Sequence, residues 1–219
     1  NKLKTLSSFI KPVSIAGTRE LNSREGYALT LHYDYDKLFL LDLSGRQDRL
    51  SNFWEKNRTG YFYSVGLGVD LARLEFFKKT KQLSQLKFST SYGRLGNMVY
   101  VSPYASYQYS FNYDHKAAGV PIGVDNPDLR WETLYPLNVG LDVGLFSDRI
   151  TLSTAYFLKK TRDMIFSLPL SVAQGSYTAT KQVNVGEMEN KGWELALNAE
   201  VIRNEEGFNW HLGGHISTL

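Results

Sequence analysis

The residues of this chain able to do covalent chemistry are few and poorly placed for it. Its histidines are His32, His115, His211 and His215. His211 and His215 share one face of an extended strand, but strand rise holds them roughly 13 Å apart, too far to share a metal ion. They read as polar side chains on a wet surface. Asp34 and Asp36 flank a tight turn, where aspartate is favoured because its carboxylate hydrogen-bonds nearby backbone. That reading outweighs a paired-carboxylate acid/base site. With no cysteine in the chain, thiol nucleophiles, zinc–thiolate sites and disulfides are excluded. No glycine-rich phosphate loop or spaced nucleophile–base set occurs, and Asn57-Arg58-Thr59 fits a glycosylation sequon by chance. The expectation is a protein that binds rather than transforms: no enzyme, no cofactor, no metal.

Ligand recognition has better candidates. Phe53 and Trp54 lie in one irregular segment; Tyr100, Tyr104, Tyr107, Tyr109, Phe111 and Tyr113 lie in another. Aromatic faces stack on sugar rings or pack on peptide side chains, and a tyrosine or tryptophan adds a polar tip. Trp54, Tyr104, Tyr107 and Tyr109 are the candidate solute-binding residues. A self-packed loop, an interfacial girdle or a contact with a partner protein would use the same residues. The stretch 104–113 also alternates, so it reads equally as a strand rising out of the main sheet.

The elements that must carry these residues are strands. In 133–146, Leu137, Val139, Leu141, Val143 and Leu145 alternate with Asn138, Gly140, Asp142 and Gly144. Successive side chains of a strand point to opposite faces, so this ribbon is apolar on one side and wet on the other. About eight such strands follow one another, near 26–35, 39–46, 61–71, 85–93, 133–146, 150–158, 193–201 and 210–216. Their connections alternate in length. Segments 36–37, 72–84 (with a short helical turn near 74–79), 147–149 and 203–207 are short or medium; 47–58, 94–132 and 159–190 are long. That asymmetry is expected of an outer-membrane β-barrel with tight periplasmic turns and long external loops. The wet face also carries Gly66, Gly68, Gly140 and Gly144, residues that strands normally avoid. Close approach of an inner domain and relief of sheet curvature both account for them.

Composition fits the same class. No apolar run approaches the ~20 residues of a membrane helix, and the mean hydropathy of −0.31 suits strands with one wet face. Aromatics make up 14% of the chain, with 14 Tyr and 4 Trp, types that favour membrane interfaces. The net charge of +3 is too small and too dispersed to indicate nucleic acid.

Three stretches go beyond pattern: Ser91-Tyr92-Gly93-Arg94-Leu95-Gly96-Asn97, Asn126-Pro127-Asp128-Leu129-Arg130-Trp131-Glu132-Thr133, and Asn184-Val185-Gly186-Glu187-Met188-Glu189-Asn190-Lys191-Gly192-Trp193-Glu194-Leu195. In this order and spacing they resemble the SusC/RagA family of TonB-linked outer-membrane transporters of Bacteroidetes. Segments 144–150 and 156–163 are also similar to that family, whereas 94–125 and 161–183 match poorly, as diverging loops do.

The resemblance implies a transmembrane antiparallel barrel of roughly 22 strands, of which residues 1–219 are a partial middle-to-late segment. It also implies an N-terminal plug and a TonB-contacting segment, neither of which this chain contains, and a SusD-like lipoprotein lid. Import of glycans or oligopeptides across the bacterial outer membrane, driven through TonB, would be the activity. Two alternatives stand beside it: a self-contained eight-stranded barrel acting as anchor or adhesin, and a soluble carbohydrate-binding β-sandwich.

Overall fold

The computed structural model describes residues 22–78, 80, 82–97, 102, 104–113, 116–171, 173, 179–204 and 207–219. The stretch 9–15, His115 and Tyr100 lie outside the described residues. In chain order the strands are β1 (Arg24–Tyr35), β2 (Phe39–Leu50), β3 (Thr59–Asp70), β4 (Leu83–Asn97), β5 (Ser106–Tyr113) and β6 (Lys116–Val124). There follow β7 (Glu132–Leu145), β8 (Ile150–Arg162), β9 (Ile165–Pro169), β10 (Thr180–Asn184), β11 (Met188–Ile202) and β12 (Trp210–Thr218). A 3-10 turn (Leu71–Arg73) and one helical turn α1 (Glu75–Lys78) join β3 to β4, as the sequence indicated.

All eight long strands form a single sheet in the order β1-β2-β3-β4-β7-β8-β11-β12, antiparallel at every step. Several run past their expected ends: β2 reaches Leu50, β4 reaches Asn97, β8 reaches Arg162, and β11 begins at Met188. Alternation fades once a strand leaves its apolar surroundings, but the backbone ladder continues, because hydrogen bonds do not depend on the side chains. The long connections contain a second sheet, β5-β6-β10-β9, in which β10 lies parallel to β6.

Register sorts the two faces of the large sheet. One outward row reads Tyr33, Leu41, Leu67, Thr90, Val139, Tyr156 and Trp193 across seven strands. The inward row beside it reads His32, Asp42, Gly66, Ser91 and Asn138. Inward polar groups pair across strands: His32 Nδ1 with Asp42 Oδ1 at 2.6 Å, and Ser44 Oγ with Ser64 Oγ at 2.7 Å. Asn138 Nδ2 donates to Ser91 Oγ at 3.2 Å. Outward apolar residues lie bare, with Leu29 78% exposed and Leu67 50%. Along β7 the apolar run from Leu137 to Leu145 rises about 20 Å normal to a membrane if tilted ~45°, close to the ~25 Å belt of such barrels.

These facts correct both alternatives. A β-sandwich buries one apolar face against a second layer, and here that face is uncovered. A closed eight-stranded barrel would hydrogen-bond β1 to β12, yet they are the two ends of an open sheet. The fold is a curved portion of a larger antiparallel barrel.

Tight turns close one end of the sheet. Asp36 and Lys37 both take positive φ, 51° and 53°, the hairpin geometry that matches strand twist. Asp34 Oδ1 accepts from the Lys37 amide at 2.6 Å and fixes that turn. Between β7 and β8, Phe146, Ser147 and Asp148 are left-handed, and Ser84 Oγ donates to Asp148 Oδ1 at 2.6 Å.

Candidate functional site

The buried apolar core of the described chain lies at the opposite, long-loop end rather than within the sheet. Leu50, Phe53, Phe62, Leu129 and Trp131 pack together, with Ile165 against them. Phe53 stacks on Trp131 at 5.4 Å between ring centres, and Phe62 meets Trp131 edge-on at 5.3 Å. The ring of Phe62 fills the space where side chains at Gly60 and Gly96 would lie, so both positions must stay bare.

Hydrogen bonds tie the three long connections to this core. Trp131 Nε1 donates to Asn57 O at 3.0 Å, and Asn57 Nδ2 donates to Leu129 O at 2.9 Å. Asn184 Oδ1 accepts from Arg130 N at 2.8 Å, while its Nδ2 donates to Arg130 O at 2.8 Å and Asp163 O at 2.7 Å. Asn97 Nδ2 donates to Glu132 Oε1 at 2.8 Å. The three sequence stretches singled out above therefore interlock through Asn97, Glu132, Arg130 and Asn184. Their distances along the chain gave no sign of this; only the pairing of β4 with β7, and of β8 with β11, brings them together.

Two ion pairs reinforce the rim. Lys56 Nζ lies 2.6 Å from Asp128 Oδ1 and Arg130 Nη2 lies 2.6 Å from Asp163 Oδ1. The hydrogen bond and charge of Lys56 hold the Asp128 carboxyl below its ordinary pKa of 3.8. The hydrogen bond from Asp163 raises Arg130 above its usual value, against some desolvation. Deeper on the inward face, the buried Asp48 is held by Arg46 at 2.7 Å and Arg24 at 3.4 Å.

On this scaffold the structure brings together two of the four candidate solute-binding aromatics. Trp54 and Tyr104 lie 5.3 Å apart between ring centres, tilted by 48°. Tyr104 is 42% exposed, and Arg58 Nη2 donates to its hydroxyl at 3.4 Å. Arg58 itself is fixed by Nε donating to Phe53 O at 2.8 Å. Trp54 Nε1 has no hydrogen-bond partner. Tyr107 stands apart on β5, 54% exposed, opposite Pro121. Tyr109 faces Gly119 in the same ladder; its side chain, like those of Phe111 and Tyr113, lies outside the described set. Phe53, 1% exposed, is a core residue that no solute reaches. Arg58 escaped sequence reasoning because an arginine in a polar loop carries no periodic signal.

The inward face carries a trough of about 280 Å³ lined by Asp42, Gly66, Gly68, Lys87, Ser89 and Gly140, among others. At Gly66 an added Cβ would stand 3.4 Å from Asp42 Cβ, and at Gly68 it would stand 3.3 Å from Leu40 Cβ. The wall itself has room for a small side chain at Gly66, whereas at Gly68 Leu40 must give by a few tenths of an ångström to admit one. Gly144 has a different reason: the Asp148 carboxylate of the neighbouring turn occupies its side-chain space. Neither reading of the glycines from sequence had anticipated that. Among the described residues no group of His, Asp or Glu is arranged to hold a metal.

Comparison with known proteins agrees with this geometry. The TonB-dependent receptor-like β-barrel family matches residues 8–218. TonB-dependent receptor P3 of Formosa agariphila is 33% identical over 207 residues, covering 92% of this chain and 20% of that protein. TonB-dependent receptor SusC of Bacteroides thetaiotaomicron is 30% identical over 206 residues, covering 90% and 20%. This chain thus spans about a fifth of the length of these relatives. Among solved structures, the RagAB peptide importer in its closed-closed state superposes with a TM-score of 0.80 at 26% identity, over 99% of this chain and 24% of that one. The siderophore receptor PirA of Pseudomonas aeruginosa, at 14% identity and a TM-score of 0.56, shares the fold over 90% of this chain and 35% of its own. The chain belongs to the TonB-dependent receptor β-barrel family, as a portion of the barrel wall with SusC and RagAB among its relatives.

Proposed function

We propose that residues 1–219 form part of the wall of a bacterial outer-membrane importer for glycans or oligopeptides too large for passive pores. Uptake would be driven through TonB acting on a plug inside the barrel, and a SusD-like lipoprotein would cap the long-loop end. The observation that carries this reading is the asymmetry of the sheet. Its outward face is bare and apolar, its inward face is polar, and every long connection gathers at one end around a packed aromatic core.

Trp54 and Tyr104 are proposed as the solute-contacting pair, with Arg58 orienting the tyrosine hydroxyl. Tyr107 and Tyr109 would extend the contact along β5. The glycine trough is suited to an inner domain whose backbone approaches the wall at Gly66 and Gly68. Support for the lid comes from the relatedness to SusC and to the RagAB importer.

The test is solute binding by the full-length transporter with its lipoprotein, comparing the native protein with W54A/Y104A by titration calorimetry against oligosaccharide and oligopeptide mixtures. A loss of about tenfold for one solute class, with the barrel still folded, is expected, since each aromatic contact is worth ~0.5–1.5 kcal/mol and two are removed, against about 1.4 kcal/mol for a tenfold change. Unchanged binding of both classes would remove the pair from the solute path.

A further inference from the structure

We propose that the Trp54–Tyr104 pair takes an acidic sugar ring whose charge is read by Arg58, so that the solute is a glycan carrying carboxylate or sulfate groups. This rests on the placement of Trp54 and Tyr104 in the solute path and deepens it, by giving Arg58 the choice of solute charge.

Arg58 is held firmly but its charge is not spent. Immediately before β3, its carbonyl accepts from Leu50 N at 3.0 Å and its Nε donates to Phe53 O at 2.8 Å. Among the described residues no carboxylate pairs with it. Asp128 is taken by Lys56 and Asp163 by Arg130, and Glu55 of the same loop makes no ion pair. The terminal contact from Nη2 to the Tyr104 hydroxyl is 3.4 Å long, beyond the roughly 2.7–3.2 Å of a good bond. A guanidinium fixed at its base and unpaired at its tip, beside a partly exposed aromatic pair, suits an anion. Its planar fork grips two oxygens of one oxyanion at once, in shorter and stronger bonds than a phenol accepts.

The surroundings favour a sugar over a peptide as the carrier of that anion. The rings of Trp54 and Tyr104, 5.3 Å apart and tilted by 48°, offer faces to the apolar side of a pyranose. In the same loop the Trp54 indole N–H and Asn52 Oδ1 have no hydrogen-bond partner, one unused donor and one unused acceptor. Buried groups of this kind are uncommon, and a sugar hydroxyl, which both donates and accepts, suits either of them. Much of the loop's backbone is already engaged. Ser51 N donates to Ser23 O, Asn57 N to Trp54 O and Arg58 N to Glu55 O, while Phe53 O accepts from Arg58. That leaves little for a peptide main chain to pair with, whereas side chains alone can hold a ring, its hydroxyls and an oxyanion at its edge.

The experiment uses the full-length transporter with its lipoprotein and reads binding by titration calorimetry. The probes are oligogalacturonate and its neutral methyl ester, a sulfated galactan oligosaccharide and its desulfated form, and oligoglutamate. An acidic glycan should bind about tenfold more tightly than its neutral counterpart, and added salt should narrow that gap. The carboxylate and sulfate arms distinguish which oxyanion is taken. R58Q should remove the preference and R58K should keep part of it, with the heat-modifiable gel mobility of the barrel showing that each variant has folded. Failure of both acidic glycans to bind better than their neutral forms, an unchanged preference in R58Q, or tighter binding of oligoglutamate than of either acidic glycan would overturn the proposal. W54A/Y104A separates this from the solute pair itself. Loss of acidic and neutral glycans alike in that variant, with an unchanged preference in R58Q, overturns only the charge assignment, whereas unchanged binding in W54A/Y104A overturns the pair and the proposal together.

Discussion

Asn184 shows how one side chain holds the loop end together. It accepts one hydrogen bond and donates two, joining the segment before β7 to the ends of β8 and β10. N184D keeps the acceptor but sets a carboxylate against the carbonyls of Arg130 and Asp163. The bonds to Arg130 are exposed and the one to Asp163 partly buried, so each lost bond costs ~0.5–1.5 kcal/mol, and faster amide exchange across 126–131 is expected. Unaltered exchange there would mean the clasp contributes nothing. G96A would meet the ring of Phe62, and overpacking of this kind costs ~1–3 kcal/mol; a lower unfolding midpoint in urea is the readout. The Lys56–Asp128 pair supplies a pH test. The folded pKa of Asp128 lies below its ordinary 3.8, so the pair contributes in full above pH 3.8. That contribution is lost as pH falls through the lowered value. Carboxyl NMR of Asp128 should give a midpoint under 3.8, and one at or above it would contradict the ion pair.

Elements divide the work between closing the sheet and shaping its inner surface. The β1–β2 turn places two non-glycine residues at positive φ, where Asn-Gly is the favoured pair. D36N/K37G should therefore stabilise the hairpin, since the left-handed backbone costs a non-glycine residue ~1–2 kcal/mol, seen as a higher refolding yield of the barrel. The trough is a property of β3, β4 and β7 together: Gly66 and Gly68 face Ser91 and Ser89, and these face Asn138 and Gly140. A Cβ at Gly68 asks Leu40 to give by a few tenths of an ångström, while a long side chain would fill the trough, so G68A should leave uptake intact at a small cost in stability. G68L should leave folding intact and reduce uptake by the full-length protein. Equal uptake by the two would show that nothing approaches the wall there.

At the scale of the whole molecule, the stability of the sheet comes from its ladders and from the solvent against its outward face, not from an interior. Leu141 sits mid-row between Phe88 and Thr154 on the bare face, while its neighbour Asp142 faces inward beside Lys87 and Ser153. L141R should cost ~2–4 kcal/mol in folding into lipid, whereas D142N should cost far less. Equal costs in a vesicle-refolding titration would mean that the outward face does not meet lipid. Among the described residues β1 and β12 are the two edges of the sheet, which is consistent with further strands completing the wall.

The sequence alone determined the number of long strands, the face each side chain takes, and the end at which each connection lies, because side-chain alternation and turn chemistry are local and repeat every two residues. His32, Asp42 and Asn138 were legible as inward, and Leu141 and Trp193 as outward, on that basis alone. Strand ends were not legible, since Asn97 and Arg162 stay in the ladder after the contrast between faces has gone. Only the tertiary structure decided that Phe53 is core while Trp54, its neighbour, meets Tyr104. It also decided that Gly144 yields to Asp148, and that Lys160 and Arg162 share Glu187. Those relations join residues tens of positions apart through sheet register, and register is fixed by the pairing of whole strands rather than by any window of sequence.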